Sequence, residues 1–140
     1  MSKVAVVYWS ATGNTEAMAE SVAEGVREAG GEASLITAGA FSADQMDSFD
    51  SIAFGCPAMG AEVLEESEFQ PMFDECKGKL SGRKIGLFGS YGWGDGEWMR
   101  NWESECSDLG AVLAHDSVTA NEAPDDEALA SCRELGKSLC

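Results

Sequence analysis

Residues 3–29 read KVAVVYWSATGNTEAMAESVAEGVREA, three textures in a row. Val4 to Trp9 is apolar without alternation, as expected of a strand covered on both faces. Ser10-Ala11-Thr12-Gly13-Asn14-Thr15 is small and polar. From Asn14 to Ala29, Met18, Val22 and Val26 recur at helical spacing beside Ala19 and Ala23, which predicts an amphipathic helix. Strand, tight loop and helix in that order are the opening of a β-α-β unit.

Moving outward, the alternation continues to the end of the chain. Ala33 to Thr37, Ser51 to Gly55, Lys84 to Gly89 and Ala111 to Val118 read as strands. Phe69 to Lys79, Glu97 to Leu109 and Asp126 to Leu139 read as helices, and Asp44 to Phe49 as a short one. No repeat, low-complexity tract or linker interrupts them. Residues 1–140 are therefore expected to form one doubly wound α/β domain. Such sheets bind ligands beyond the C-terminal ends of their strands, at the switch point in strand order. Three compositionally odd loops fall at those ends and should be neighbours.

Composition narrows the role. Hydrophobic residues make up 44% of 140, enough for a packed core. Asp and Glu number 25 against 9 Lys and Arg, a formal charge of -16, which repels phosphate backbones and anionic lipid. No nucleic acid and no membrane is expected as a partner. The same acidity serves solubility or draws a basic-faced partner; charge alone does not separate the two. The N-terminal apolar run is too short for a signal-peptide core, and no stretch could span a bilayer, so a cytoplasmic location is expected. The five cysteines, Cys56, Cys76, Cys106, Cys132 and Cys140, include no C-x-x-C pair. They read as small hydrophobes or surface thiols, with no metal site among them. Any redox chemistry must come from a bound cofactor.

The loop from Ser10 to Thr15 places three hydroxyls, an amide and a glycine where a helix begins. The first amides of a helix lack intrahelical acceptors and sit at the positive end of its dipole, which suits a phosphate. The same residue types are also ordinary helix caps. The loop holds no Lys or Arg and matches neither G-x-x-x-x-G-K-[ST] nor G-x-G-x-x-G. A lone monophosphate is favoured over a chain of phosphates.

S/T-x-T-G-N-T after a first strand resembles the phosphate loop of flavodoxins, small electron carriers that hold flavin mononucleotide (FMN). Gly55-Cys56-Pro57-Ala58-Met59-Gly60 and Gly89-Ser90-Tyr91-Gly92-Trp93-Gly94 resemble two further loops of that family, in the same order. The similarity runs through the whole chain at family length and is greatest to the short-chain flavodoxins of anaerobic bacteria. It implies a five-stranded parallel sheet in the order 2-1-3-4-5, with helices on both faces and FMN at the switch point.

The resemblance also implies the binding residues. Ser10, Ala11, Thr12, Gly13, Asn14 and Thr15 would hold the phosphate. Pro57, Ala58, Met59, Gly60, Ala61 and Glu62 would line one side of the flavin, with Met59 against the ring and the Gly60 carbonyl turning toward N5 on reduction. Glu62 would accept from N3–H; without the motif it reads as one solvated acid among Glu62, Glu65, Glu66 and Glu68. Ser90 would lie near the phosphate. Tyr91, Gly92, Trp93 and Gly94 would form the opposite loop, with Trp93 stacked on the outer flavin face. Asn121 would approach the ribityl chain, and Glu122 would add negative charge. A turn at Gly60 needs a backbone free at positive φ, as at the first central position of a type II′ turn. Ala61 stands where relatives often carry Gly, Asp or Ser.

The function so implied is a low-potential one-electron carrier working through a stabilised neutral semiquinone. It would act as a monomer between redox partners with basic surfaces, with no substrate of its own. His115 is the sole histidine, and no Ser/His/Asp constellation is evident. The alternative is an FMN-dependent NAD(P)H reductase on the same kind of fold. A phosphoacceptor domain would need acids after the first strand, and a cysteine phosphatase a loop ending in Arg. This chain has neither.

Overall fold

The inner apolar runs pair as parallel strands. In the computed structural model, which describes residues 2–60, 62–92 and 94–140, β1 (Lys3–Tyr8) lies between β2 (Glu32–Thr37) and β3 (Ser51–Gly55). β3 pairs with β4 (Lys84–Tyr91), and the order β2-β1-β3-β4-β5 is that of a flavodoxin-like doubly wound sheet. All the pairings are parallel. Val4 to Val7 and all of β3 are buried, because helices cover both faces.

Three helices connect strands, α1 (Asn14–Glu28), α2 (Phe69–Cys76) and α3 (Glu97–Asp108), and α4 (Asp126–Ser138) follows β6. α2 and α3 close one face over an aromatic core of Phe54, Phe69, Phe73, Trp98 and Trp102. α1 and α4 close the other over smaller residues, including Val4, Val6, Ala19, Ala23 and Ala53. Trp98 and Trp102 are each 2% exposed, so the packing expected of this pair is what the fold uses them for.

Three expectations need correction. The strand expected over Ala111–Val118 is two short ones, β5 (Val112–Leu113) and β6 (Val118–Asn121), both alongside β4. Lys84 and Ile85 pair with β5, Phe88 to Tyr91 pair with β6, and two extra residues bulge between. The pairing breaks at the polar run His115-Asp116-Ser117, where Ser117 Oγ donates to Glu103 on α3 at 2.7 Å. The helix expected to reach Lys79 stops at Cys76 and tightens into a 3-10 turn, Lys77–Lys79. The short helix near Asp44 is a 3-10 turn, Ala43–Ser48.

Candidate functional site

The loop after β1 is held by its own side chains. Gly13 caps α1 at φ 93°, a left-handed position that an L residue adopts only under strain. Ser10 Oγ accepts from the amides of Gly13 at 3.1 Å and Glu16 at 3.3 Å. Ala17 N donates back to Gly13 O at 3.0 Å. This leaves the amides of Asn14 and Thr15 as the free donors of the first helical turn among the described residues. Thr15, 1% exposed, points the other way: its Oγ1 lies 3.1 Å from Ser90 Oγ and accepts from Ser90 N at 3.4 Å. The first loop and the end of β4 are thereby tied across 75 residues.

Beside this junction is an open cleft of about 470 Å³, the size of a small-cofactor site. Thr12 and Asn14 form one wall and Ser90, Tyr91 and Gly92 another, with Glu122 also lining it. Glu122 stands at φ 59° and donates its amide to Tyr91 O at 2.6 Å, which brings the end of β6 over the cleft. Asn121 does not line it. It closes β6 opposite Tyr91 and lines a neighbouring depression with His115 and Asp125.

The chain after β3 stays bound to β4 through Cys56 N to Phe88 O at 3.1 Å and Ala58 N to Ser90 O at 3.0 Å. A tight turn follows, closed by Glu62 N to Met59 O at 2.7 Å and steadied by Met59 N to Val63 O at 2.9 Å. Gly60 lies at its exposed tip. It does not stand at positive φ, so the type II′ geometry is not the one observed, and Glu62 takes the left-handed value at φ 53°. A Cβ at Gly60 would meet open space among the described residues. Ala61 and Trp93, both expected at the site, lie outside the described residues.

Acids converge beyond the turn. Single carboxylate oxygens of Glu62, Asp95 and Glu97 lie within 4.8 Å of one another. Glu62 Oε1 is shut off from solvent and has no hydrogen-bond partner among the described residues. Burial raises the Glu62 pKa, the nearby carboxylates of Glu97 and Asp95 add to the rise, and Arg100 works against it. Gly94, at φ 86°, sits so close to this carboxylate that a Cβ there would collide with it. Asp95 is held below the usual carboxylate range by its hydrogen bond from Arg100, 3.0 Å away, and by that cation's charge. Arg100 also reaches Asp95 O at 2.9 Å.

Sequence reasoning left out two of these residues. Arg100 sits beyond the loops but folds back over them, so one of the expected acids is paired. Glu65 reads as solvated in sequence but is 5% exposed. Its carboxylate accepts from the amides of Ser67 and Glu68 at 2.8 Å and Phe69 at 2.9 Å, and from the Ser67 hydroxyl. Burial would raise its pKa, but the Ser67 hydroxyl and the amides of Phe69, Glu68 and Ser67 outweigh this and lower it. Glu68 is likewise engaged, accepting from the Trp9 indole at 3.2 Å. The cysteines are free thiols, and burial pushes Cys56, Cys106 and Cys132 up to about 12 and Cys76 to about 11, too high for a reactive thiolate.

The comparisons agree with this geometry. The family model for Flavodoxin matches residues 6–136. The flavodoxin of Clostridium beijerinckii is 46% identical over 134 residues, covering 96% of each chain. That of Megasphaera elsdenii is 45% identical over 135 residues, again 96% of each. The solution structure of two-electron reduced Megasphaera elsdenii flavodoxin superposes with a TM-score of 0.90 over 97% of both chains, at 45% identity.

Proposed function

Because the chain belongs to the flavodoxin family, whose members carry electrons on bound FMN, we propose that it is a one-electron relay holding FMN across these loops, with no substrate of its own. Residues 1–140 act as one unit. The isoalloxazine of FMN supplies the electron chemistry when bound.

The residues present fit that cofactor, and the observation that carries the reading is the Glu62 carboxylate. A buried acceptor without a donor costs free energy until a donor arrives. Flavin N3–H is a donor of the right kind for Glu62 Oε1. At the phosphate, the free amides of Asn14 and Thr15 and the hydroxyl of Thr12 provide donors without a cation, which suits one monophosphate. Ser10 and Gly13 hold the loop in shape, while Thr15 and Ser90 brace it from beneath. Pro57, Ala58 and Met59 approach the ring from one side, and Tyr91, Gly92 and Gly94 from the other. Trp93 and Ala61 keep the roles that the resemblance implies, while Asn121 would meet the ribityl chain only from the depression beside the cleft.

Charge shapes the partner. Lys3, Arg27, Lys77, Lys79, Arg83, Lys84, Arg133 and Lys137 stand at or toward the end of the sheet where the strands begin, and Arg100 is the remaining cation. The loop end is left to Glu62, Asp95, Glu97 and Glu122. An acidic rim of this kind steers a basic-faced redox partner toward the flavin edge. Among the described residues no helix is long and apolar enough to cross a membrane. The protein works as a cytoplasmic monomer. The relatives give no support to the NAD(P)H reductase alternative.

Two measurements test the reading. The FMN-free protein should bind FMN in a one-to-one ratio and turn yellow, and a chain that binds no FMN would sink the proposal. Mixing the yellow protein with NADPH alone should leave its colour for minutes, whereas rapid bleaching would make it an enzyme.

A further inference from the structure

The described residues from Pro57 to Glu68 form no helix or strand, yet this segment carries the turn that meets the flavin in the function proposed above. Its downstream anchor is Glu65. The Glu65 amide donates to Cys56 Sγ at 3.3 Å, which pins this residue to the end of β3. Its carboxylate, accepting from three amides and a hydroxyl, seals the start of α2. Between these two ties the backbone must loop out and return, and the Met59 N to Val63 O bond closes two residues before Glu65. We infer that Glu65 is a positioning residue for the flavin ring, holding Met59, Gly60 and Glu62 in place without touching the cofactor itself. This rests on the FMN site proposed above.

The physical case is that Glu65 has no cheap substitute. Gln keeps the shape but replaces one acceptor oxygen with an amide that faces amide donors, leaving groups unpaired at a buried point. Release of this anchor would let the Met59–Glu62 turn shift, while the phosphate loop, braced by Ser10, Thr15 and Ser90, would stay put. The effect should therefore fall on the ring and not on the phosphate.

Titrating FMN-free protein with riboflavin and with FMN separates the two. E65Q should weaken both by the same factor, about tenfold, as for one lost charge-assisted contact. It should also shift the first reduction potential of the bound flavin. T12A is the control and should weaken FMN alone. If E65Q does not fold, E65D carries the same readouts, with both ligands weakened equally but less. A folded variant that melts lower yet binds both ligands as the parent does, at an unchanged potential, would make Glu65 a helix cap only and overturn the inference. A loss confined to FMN would overturn it too. If the parent itself binds neither ligand, the site assignment has failed, and the inference falls with it.

Discussion

The two walls of the cleft are finished to different degrees. On the phosphate side, Ser10, Gly13, Thr15 and Ser90 satisfy one another, and among the described residues two helix-start amides and the Thr12 hydroxyl are left open. On the turn side, Glu62 holds a left-handed backbone angle, an unpartnered buried oxygen and two carboxylate neighbours. A wall whose groups are paired can hold a ligand at little cost to itself. One with strain and crowded charge responds to what the ligand does. Retention of FMN and adjustment of its potential are thus assigned to different residues, and separate substitutions should reach each.

The largest effect is expected on the phosphate wall. Thr12→Ala should cost FMN about 1.5–3 kcal/mol, the range for a hydrogen bond to a charged group. Riboflavin, which has no phosphate, should bind almost as before. Isothermal titration with both ligands checks this, and equal losses would erase the contrast between the walls.

Gly60→Thr should act on the other wall alone. If the Gly60 carbonyl turns to N5 on the first reduction, the residue must move to positive φ, which costs a β-branched side chain about 1–2 kcal/mol. Open space around Gly60 means no collision confuses the result. The first potential should fall by roughly 40–90 mV, taking 59 mV as a tenfold change for one electron. Oxidised FMN should bind as tightly as in the parent. A potentiometric titration that finds the parent's value would remove the turn from the mechanism.

Gly94→Ala should be smaller in effect. The new methyl would meet the Glu62 carboxylate, the flexible end of its side chain, and push it aside from the ring. Riboflavin and FMN affinity should fall together, by about fivefold for ~1 kcal/mol of lost contact. A loss confined to FMN would count against the placement of Glu62 at the ring.

The smallest effect concerns pH in the FMN-free protein. The Glu62 pKa is raised in the fold, so its contribution to stability is complete below the unfolded carboxylate value and is lost as pH rises through the folded one. Glu65 is lowered, so its contribution is present above the ordinary value of 4.5 and lost as pH falls through the folded one. Glu62→Gln should therefore melt higher than the parent at pH 7, with the gap closing toward pH 4. An advantage that grows on acidification would reverse the sign assigned to Glu62.

Much of the fold was legible because its signals are local. The apolar run before Ser10, the helical spacing of Met18, Val22 and Val26, and the small polar residues between them sit within one stretch of chain. Their meaning does not depend on distant neighbours. The fifth strand departs from its sequence pattern for the complementary reason: apolar Val112, Leu113 and Val118 suggest continuity, but the register along β4 decides where pairing breaks.

At the site, sequence alone determined which loops meet, since strand order and chain direction bring all the C-terminal strand ends to one side of the sheet. It also determined that the phosphate must be held without a cation, because no Lys or Arg exists in those loops. Only the tertiary structure decided what each acid does. Glu62, Glu65 and Glu68 look alike in one short acidic run. In the fold one has an oxygen without a donor among the described residues, one is sealed by four and one takes the Trp9 indole. A carboxylate's role is set by the donors and charges within a few ångströms of it: Trp9 just past β1, the turn that opens α2, and the loop and first turn of α3, which take up these positions only by folding.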